Sequence, residues 1–537
     1  MPRRGEQGHP GLFSQRSPIV IGLAIALFIF GLAQIRAGVP EASKAHKGGG
    51  QPNIVLLMTD DQAVSQMRTE VMPKVTRLLA EGGTRFDHAY LTTPLCCPSR
   101  ATLLTGQYGH NDGVLRNAYP PLKDKDNVLP VWLRRAGYVT AHLGRFLNAY
   151  HRERRSLAPA PGWTQWHTLV SADTERYYDY DLSSNGKRIH HGDRPRDYSP
   201  RVFNRIAVRL IDRYVPRRRP LYLELDEVTP HVQRGNYIPP PACNPIPDPR
   251  DEGLFNDAPL PQAPSFNESE IADKPSFMRA LHPLNDNQIT HMTRNYRCAL
   301  AALREVDRSF GRIYREIKRL GELPKTVFVF FTDNGVFFGE HRIALGKLNP
   351  YEEATSTPLF MRVPRRYLHG NRPVARVSAP VANIDLAPTI VRLAHAHPCA
   401  RRCRTMDGRS LKGLIAGHRP AWASADRPIG LELDLGEGKA GHSVCRYKGV
   451  RVSDQVLIRH LQIQDPTSNQ CIAADEWERY DLGDDPFELR NLCFGGDAVN
   501  CPQDEPEERL RKLLARISRC AGIAGRDPRP RSGYYCH

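Results

Sequence analysis

Three strand-length runs constrain this chain more than any other feature. They are NIVLLM (Asn53–Met58), LYLELD (Leu221–Asp226) and TVFVFF (Thr326–Phe331). Each is followed by polar residues: Thr59-Asp60-Asp61, Thr229-Pro230-His231 and Thr332-Asp333-Asn334-Gly335. A continuous apolar run suits a strand buried on both faces, as in a parallel sheet. Helical patterns lie between the runs, around Met72–Glu81, from Pro98 onward, and over an amphipathic stretch from about Asn287 to Leu320. Strands alternating with helices predict an α/β fold with a large, mostly parallel sheet flanked by helices, whose ligands gather beyond the carboxyl ends of the strands.

Length leaves room for more than this unit. At 537 residues the chain exceeds the roughly 250–300 residues at which single cores stop growing. The spacing predicts a catalytic domain over 52–416 and a smaller, disulfide-rich domain of antiparallel strands over 417–537, where the strand–helix rhythm weakens. Pro239–Pro264 is proline-rich and reads as an irregular surface excursion. Before the body, residues 1–37 carry Arg3, Arg4 and Arg16 and the apolar run Ile19–Ile35, an export signal. Residues 38–51 are small and glycine-rich, and read as a linker. The apolar run is near the lower limit for spanning a bilayer, roughly 17 residues, so a cleaved signal and an uncleaved membrane anchor both fit. Either way the body is expected outside the cytoplasm, secreted or membrane-anchored.

The cysteines agree with that compartment. Apart from Cys96 and Cys97, ten of the twelve remain, eight of them between Cys399 and Cys536, an even set that suits disulfides in an oxidising space. A formal net charge of +17 favours acidic partners. No long basic helix or zinc-finger spacing accompanies it, so nucleic acid is not the expected partner.

Asp60, Asp61, Asp333 and Asn334 are hard oxygen donors of the kind that hold Ca²⁺ or Mg²⁺. Taken alone, each cluster is more often a cap or turn. The run LCCPSRATLLTG, Leu95–Gly106, changes that balance, because adjacent cysteines make a strained disulfide and one thiol is then expected to serve chemistry.

Cys96-Cys97-Pro98-Ser99-Arg100 followed by Ala101–Gly106 resembles the signature of the sulfatase family. PNIVLLMTDDQ, GRFLNAY (Gly144–Tyr150), TPH, TDNG, Gly346-Lys347, Tyr351-Glu352, ANIDLAPTI (Ala382–Ile390) and YDLGDDPFELRNL (Tyr480–Leu492) follow in matching order and spacing. Within the family, the chain is most similar to the N-acetylglucosamine-6-sulfatases and extracellular heparan endosulfatases. The resemblance implies an alkaline-phosphatase-like fold and hydrolysis of a sulfate ester on a sulfated glycan. It implies formylglycine made from Cys96 by a maturation enzyme, with Ca²⁺ (Mg²⁺ as the alternative) bound by Asp60, Asp61, Asp333 and Asn334 and an oxygen of modified Cys96. It assigns Arg100 to the aldehyde hydrate, Lys347 to the sulfate oxygens, and His231 to the ester oxygen as general acid. Where the family has lysine, this chain has Arg145, which keeps the charge and changes the reach. His142 reads equally well as structural, and His341 takes no role.

Chemistry makes this set coherent. Cationic groups offset the charge of a sulfate monoester, and a hydrated aldehyde can shed sulfate where a serine or thiol would be left as a stable ester. Two other readings remain open at this level: a phosphodiesterase or phosphonate monoester hydrolase on the same scaffold, and a non-catalytic binder of sulfated glycan.

Overall fold

The computed structural model describes residues 50–170, 174–216, 219–233, 242–436, 444–465 and 467–536. The export segment, the linker up to residue 49 and residues 239–241 of the proline-rich stretch lie outside the described residues.

Fourteen strands carry the argument. In chain order they are β1 (Asn53–Asp60), β2 (Thr84–Phe86), β3 (Val139–Gly144), β4 (Gln165–Leu169), β5 (Tyr180–Ser184), β6 (Lys187–His191), β7 (Leu221–Pro230), β8 (Thr326–Thr332), β9 (Leu359–Arg362), β10 (Arg376–Val377), β11 (Ile429–Asp434), β12 (Val444–Val452), β13 (Gln455–Gln464) and β14 (Cys471–Asp481). The first ten form one sheet in the order β10-β2-β9-β8-β1-β7-β3-β4-β5-β6. Its centre, β8-β1-β7-β3-β4, is parallel. Antiparallel pairs β8-β9, β9-β2, β4-β5 and β5-β6 extend it on both sides.

The three expected strands are the three central ones, and burial explains their sequences. Along β1, Ile54, Leu56 and Met58 enter one apolar layer while Val55 and Leu57 enter the other, so no position faces water. Each such side chain contributes roughly 1.5–3 kcal/mol of transfer free energy. Helices α1 (Cys96–Thr105) and α4 (Leu386–Leu393) cover the first layer. Helices α2 (Ser199–Tyr214) and α3 (Asp286–Arg319) cover the second. A capping box starts α3: Asn285 Oδ1 accepts from the Gln288 amide and Gln288 Oε1 from the Asn285 amide, both at 3.0 Å.

Strands β11–β14 form a separate antiparallel sheet, and helix α5 (Glu505–Ile517) packs Leu510, Leu514 and Ile517 onto it. Cysteine pairing among the described residues is Cys243–Cys298, Cys399–Cys403, Cys445–Cys471, Cys493–Cys501 and Cys520–Cys536, which leaves only Cys96 and Cys97 as thiols.

Candidate active site

Register in the central sheet builds the site. Asp60 lies opposite Pro230 on β7, and Thr59 lies opposite Thr332 on β8. The residues just past those strands, Asp61, His231, Asp333 and Asn334, therefore emerge at one edge although they are far apart in sequence. β3 adds Arg145: Gly144 pairs with Asp226, and the Arg145 amide donates to the Asp226 carbonyl at 2.9 Å.

Helix α1 aims its N-terminus at this edge. Cys96 opens the helix and Arg100 follows one turn later on the same face. Both are buried. Cys96 Sγ lies 3.5 Å from Asp60 Oδ1 and 3.0 Å from Lys347 Nζ, which also pairs with Asp61 Oδ1. Arg100 is clamped from several sides. Its Nε donates to Asp333 Oδ2 at 2.9 Å, Nη2 to Asp60 Oδ2 at 2.9 Å, and Nη1 to Asp226 Oδ2 at 3.2 Å and to the Arg145 carbonyl. Arg145 forks between Asp60 Oδ2 and Glu175 Oε1, the latter at 3.0 Å. His231 donates from Nδ1 to the Val232 carbonyl at 2.6 Å, which turns Nε2 toward Asp61 Oδ2 at 3.4 Å and Glu175 Oε1 at 3.8 Å.

Burial and charge oppose one another here. Burial raises the Asp60 carboxyl, but Arg145, His231 and Arg100 outweigh it and hold it below its ordinary value. Burial likewise raises Asp61, and His231 and Lys347 outweigh it. Asp333 goes the other way, pushed up to about 7 by burial and by Asp60. The Cys96 thiol is pushed far above its usual range by burial and by Asp60, so the unmodified side chain is a protonated thiol and a poor nucleophile.

The donors fit a divalent cation. Asp60, Asp61, Cys96 and His231 each offer a ligand atom within 4.8 Å of one another. Asn334 donates from Nδ2 to Asp61 Oδ1 at 2.6 Å, while its buried Oδ1 accepts no hydrogen bond among the described residues. Such an orphaned carbonyl oxygen beside two carboxylates is a ready ligand for a hard ion. Asp60, Asp61, Asp333, Asp226 and Glu175 also outnumber the fixed cations Arg100, Arg145 and Lys347 that face them.

All nine residues singled out from sequence thus meet at one place. Two further participants, Asp226 and Glu175, were not singled out. Asp226 ends the visible run LYLELD, so its position was readable and its contact with Arg100 was not. Glu175 sits in a stretch without any strand or helix signature. His142 lies beneath the site, with ring nitrogens 2.9 Å from Thr168 Oγ1 and 3.2 Å from Asp226 Oδ2. Burial lowers it to about 4, which makes it a neutral support for Asp226.

Known proteins resemble this chain along most of its described length. An arylsulfatase of Volvox carteri is 32% identical over 543 residues, covering 94% of this chain and 79% of that protein. The N-acetylglucosamine-6-sulfatase of Homo sapiens is 29% identical, covering 78% of this chain and 72% of that protein. An extracellular sulfatase SULF-1 homolog of Drosophila melanogaster is 31% identical over 75% of this chain, which spans only 36% of that longer protein. A solved structure described as a complex with its substrate D-glucosamine-2-N,6-O-disulfate superposes with a TM-score of 0.69 at 25% identity, covering 87% of this chain and 97% of that one. Residues 339–515 match the model of the N-sulphoglucosamine sulphohydrolase C-terminal region. Residues 52–396 match the sulfatase model, and the chain belongs to the sulfatase family of sulfuric ester hydrolases.

Proposed function

We propose that this enzyme, exported from the cytoplasm, releases the 6-O-sulfate of a glucosamine residue in a sulfated glycan. It does so through formylglycine made at Cys96 by a maturation enzyme, and a calcium ion held by Asp60, Asp61, Asp333 and Asn334. The observation that carries the reading is the convergence of Cys96, Lys347 and the acidic strand tips within hydrogen-bonding reach of one another. Likeness to the human N-acetylglucosamine-6-sulfatase and to the glucosamine disulfate complex supports the substrate class.

Formylglycine supplies, when formed, a hydrated aldehyde oxygen as nucleophile, and the divalent ion supplies positive charge against the sulfate. The chain's own groups do the rest. Lys347, 3.0 Å from Cys96 Sγ, and Arg145, paired with the Asp60 carboxylate that Cys96 also contacts, offer positive charge to the sulfate oxygens, offsetting the negative charge that repels a nucleophile. Arg100 fixes the Asp60 and Asp333 carboxylates, which keeps the strand tips in register with the helix. His231, with Nδ1 committed to a carbonyl, has only Nε2 with which to carry a proton to the leaving sugar oxygen. Burial, the largest influence on its pKa, outweighs Asp61 and Asp60, which favour the protonated ring, and lowers it below the ordinary imidazole value.

The test pairs mass spectrometry of the Cys96 peptide from the natural host with sulfate release from glucosamine 6-sulfate, aryl sulfate and aryl phosphate. An aldehyde mass and preferential sulfate release from the sugar are expected. Dialysis against a chelator should abolish turnover, and added Ca²⁺ should restore it. An unmodified thiol, or faster hydrolysis of the phosphate, would overturn the reading.

A further inference from the structure

The segment that follows Asn334 and carries Lys347 holds a second cluster with the makings of a metal site. His341 and Glu353 come from this segment between β8 and β9, and Glu488 comes from the loop after β14. Each offers one ligand atom, all within 4.8 Å of one another. His341 and Glu488 are 0% and 1% exposed. His341 Nε2, Glu353 Oε2 and Glu488 Oε1 are all buried and have no hydrogen-bond partner among the described residues.

Their surroundings explain why no protein donor serves them. His341 Nδ1 stands 2.9 Å from Glu268 Oε2. A carboxylate at that distance accepts from Nδ1–H, so the proton sits on that nitrogen and Nε2 presents a lone pair. That lone pair faces Glu353 Oε2 at 3.8 Å, an acceptor facing an acceptor. The second oxygen of each carboxylate is fixed elsewhere: Glu353 Oε1 accepts from Ser265 Oγ at 3.2 Å, and Glu488 Oε2 from the Glu352 amide at 2.9 Å. Lys274 Nζ is committed to Glu268 Oε1 at 3.5 Å and to the Glu488 and Leu489 carbonyls. Three buried acceptors converge without a hydrogen-bond partner among the described residues, an arrangement that a cation among them relieves.

We propose that His341 Nε2, Glu353 Oε2 and Glu488 Oε1 bind a zinc-class divalent ion, Zn²⁺ or Mn²⁺, at a site separate from the calcium-type oxygen set. The imidazole selects a transition ion over Ca²⁺, which takes oxygen ligands. Glu268 is the outer carboxylate that orients a ligating histidine and raises its basicity. Ligand atoms about 2.0 Å from a tetrahedral zinc lie about 3.3 Å apart, so rotamer adjustment alone closes the cluster. Because Glu488 belongs to the loop after the antiparallel sheet, the ion pins the Lys347 segment to that loop.

The experiment strips the purified full-length protein with chelator, saturates it with Ca²⁺, and dialyses it against one equivalent of Zn²⁺ before elemental analysis. One zinc per chain is expected in the wild type and in Asp333→Asn, which alters the other cluster. At least tenfold less is expected in Glu353→Gln and Glu488→Gln. Zinc should also raise the unfolding temperature of the wild type and leave that of Glu353→Gln unchanged; this partly exposed position should fold normally. A wild type that retains no zinc, or glutamine variants that retain as much as the wild type, would overturn the proposal.

Discussion

Arg145 reaches two carboxylates that one ammonium could not serve together. Its fork joins Asp60 to Glu175, and Glu175 in turn faces His231 Nε2, so the guanidinium links the carboxylate beside Cys96 to the one beside His231. Replacing Arg145 with alanine should lower kcat on aryl sulfate about 10²–10³-fold, the usual loss when one preorganised donor to developing charge is removed. Arg145→Lys should fall about tenfold, because charge survives and the bridge does not. Steady-state kinetics on both variants decides the matter. At this scale the sequence was informative wherever chemistry fixes the residue type. Aspartates at strand tips and a cysteine before proline could be picked out singly. Glu175 could not, since a lone glutamate in an irregular segment is ordinarily a solvated surface charge and only the folded chain brings it to Arg145 and His231.

Elements position these groups through close backbone contacts that tolerate no extra atoms. Gly144 ends β3 with φ of +96°, and a Cβ there would meet the Asp226 carbonyl oxygen at 2.0 Å. Gly144→Ala should cost about 3 kcal/mol by combining left-handed backbone strain with overpacking, and should displace both Arg145 and Asp226. Chemical denaturation and kcat would register it together. A second joint, at the short helix Gly109–Asp112, fastens the antiparallel sheet: His110 Nδ1 donates to Glu432 Oε2 on β11 at 2.9 Å, and its Nε2 lies 2.9 Å from the Cys520 carbonyl. Burial lowers His110, but Glu432 outweighs it and raises the ring above its ordinary 6.5; this stabilisation is complete below that value and fades as pH rises through the folded pKa. Burial raises Glu432, but His110 and Lys448 outweigh it and hold it below its ordinary 4.5, so its contribution is complete above 4.5 and fades on acidification. His110→Gln should therefore cost about 2 kcal/mol near pH 5.5 and clearly less at pH 8.5, as measured by urea denaturation. The central strands were legible because both of their faces are buried and their composition is uniformly apolar. Strands β4–β6 were not, since the pattern of Lys187–His191 is polar and exposed and is fixed only by pairing with β5.

Across the whole molecule, charge and covalent bracing make the testable differences. A net charge of +17 should concentrate polyanionic substrate around the enzyme. KM for a polymeric sulfated glycan should then rise about tenfold as salt goes from about 50 to 500 mM, while KM for a small aryl sulfate should change about twofold or less. Cys445–Cys471 closes a loop of sequence separation 26 between β12 and β14. Its replacement by two serines should lower stability by about 3 kcal/mol, visible as a lower calorimetric transition temperature. The overall architecture was legible from alternation and from cysteine number, whereas the pairing of cysteines depends on distances that only the folded chain defines. Sheet order has a kinetic corollary. The strand at the centre is the earliest in sequence among the described residues, yet its neighbours are strands about 170 and 270 positions downstream. Half-made chains therefore cannot turn over substrate, refolding must wait for those distant partners to meet, and recovery of activity after dilution from denaturant should lag the return of helical signal.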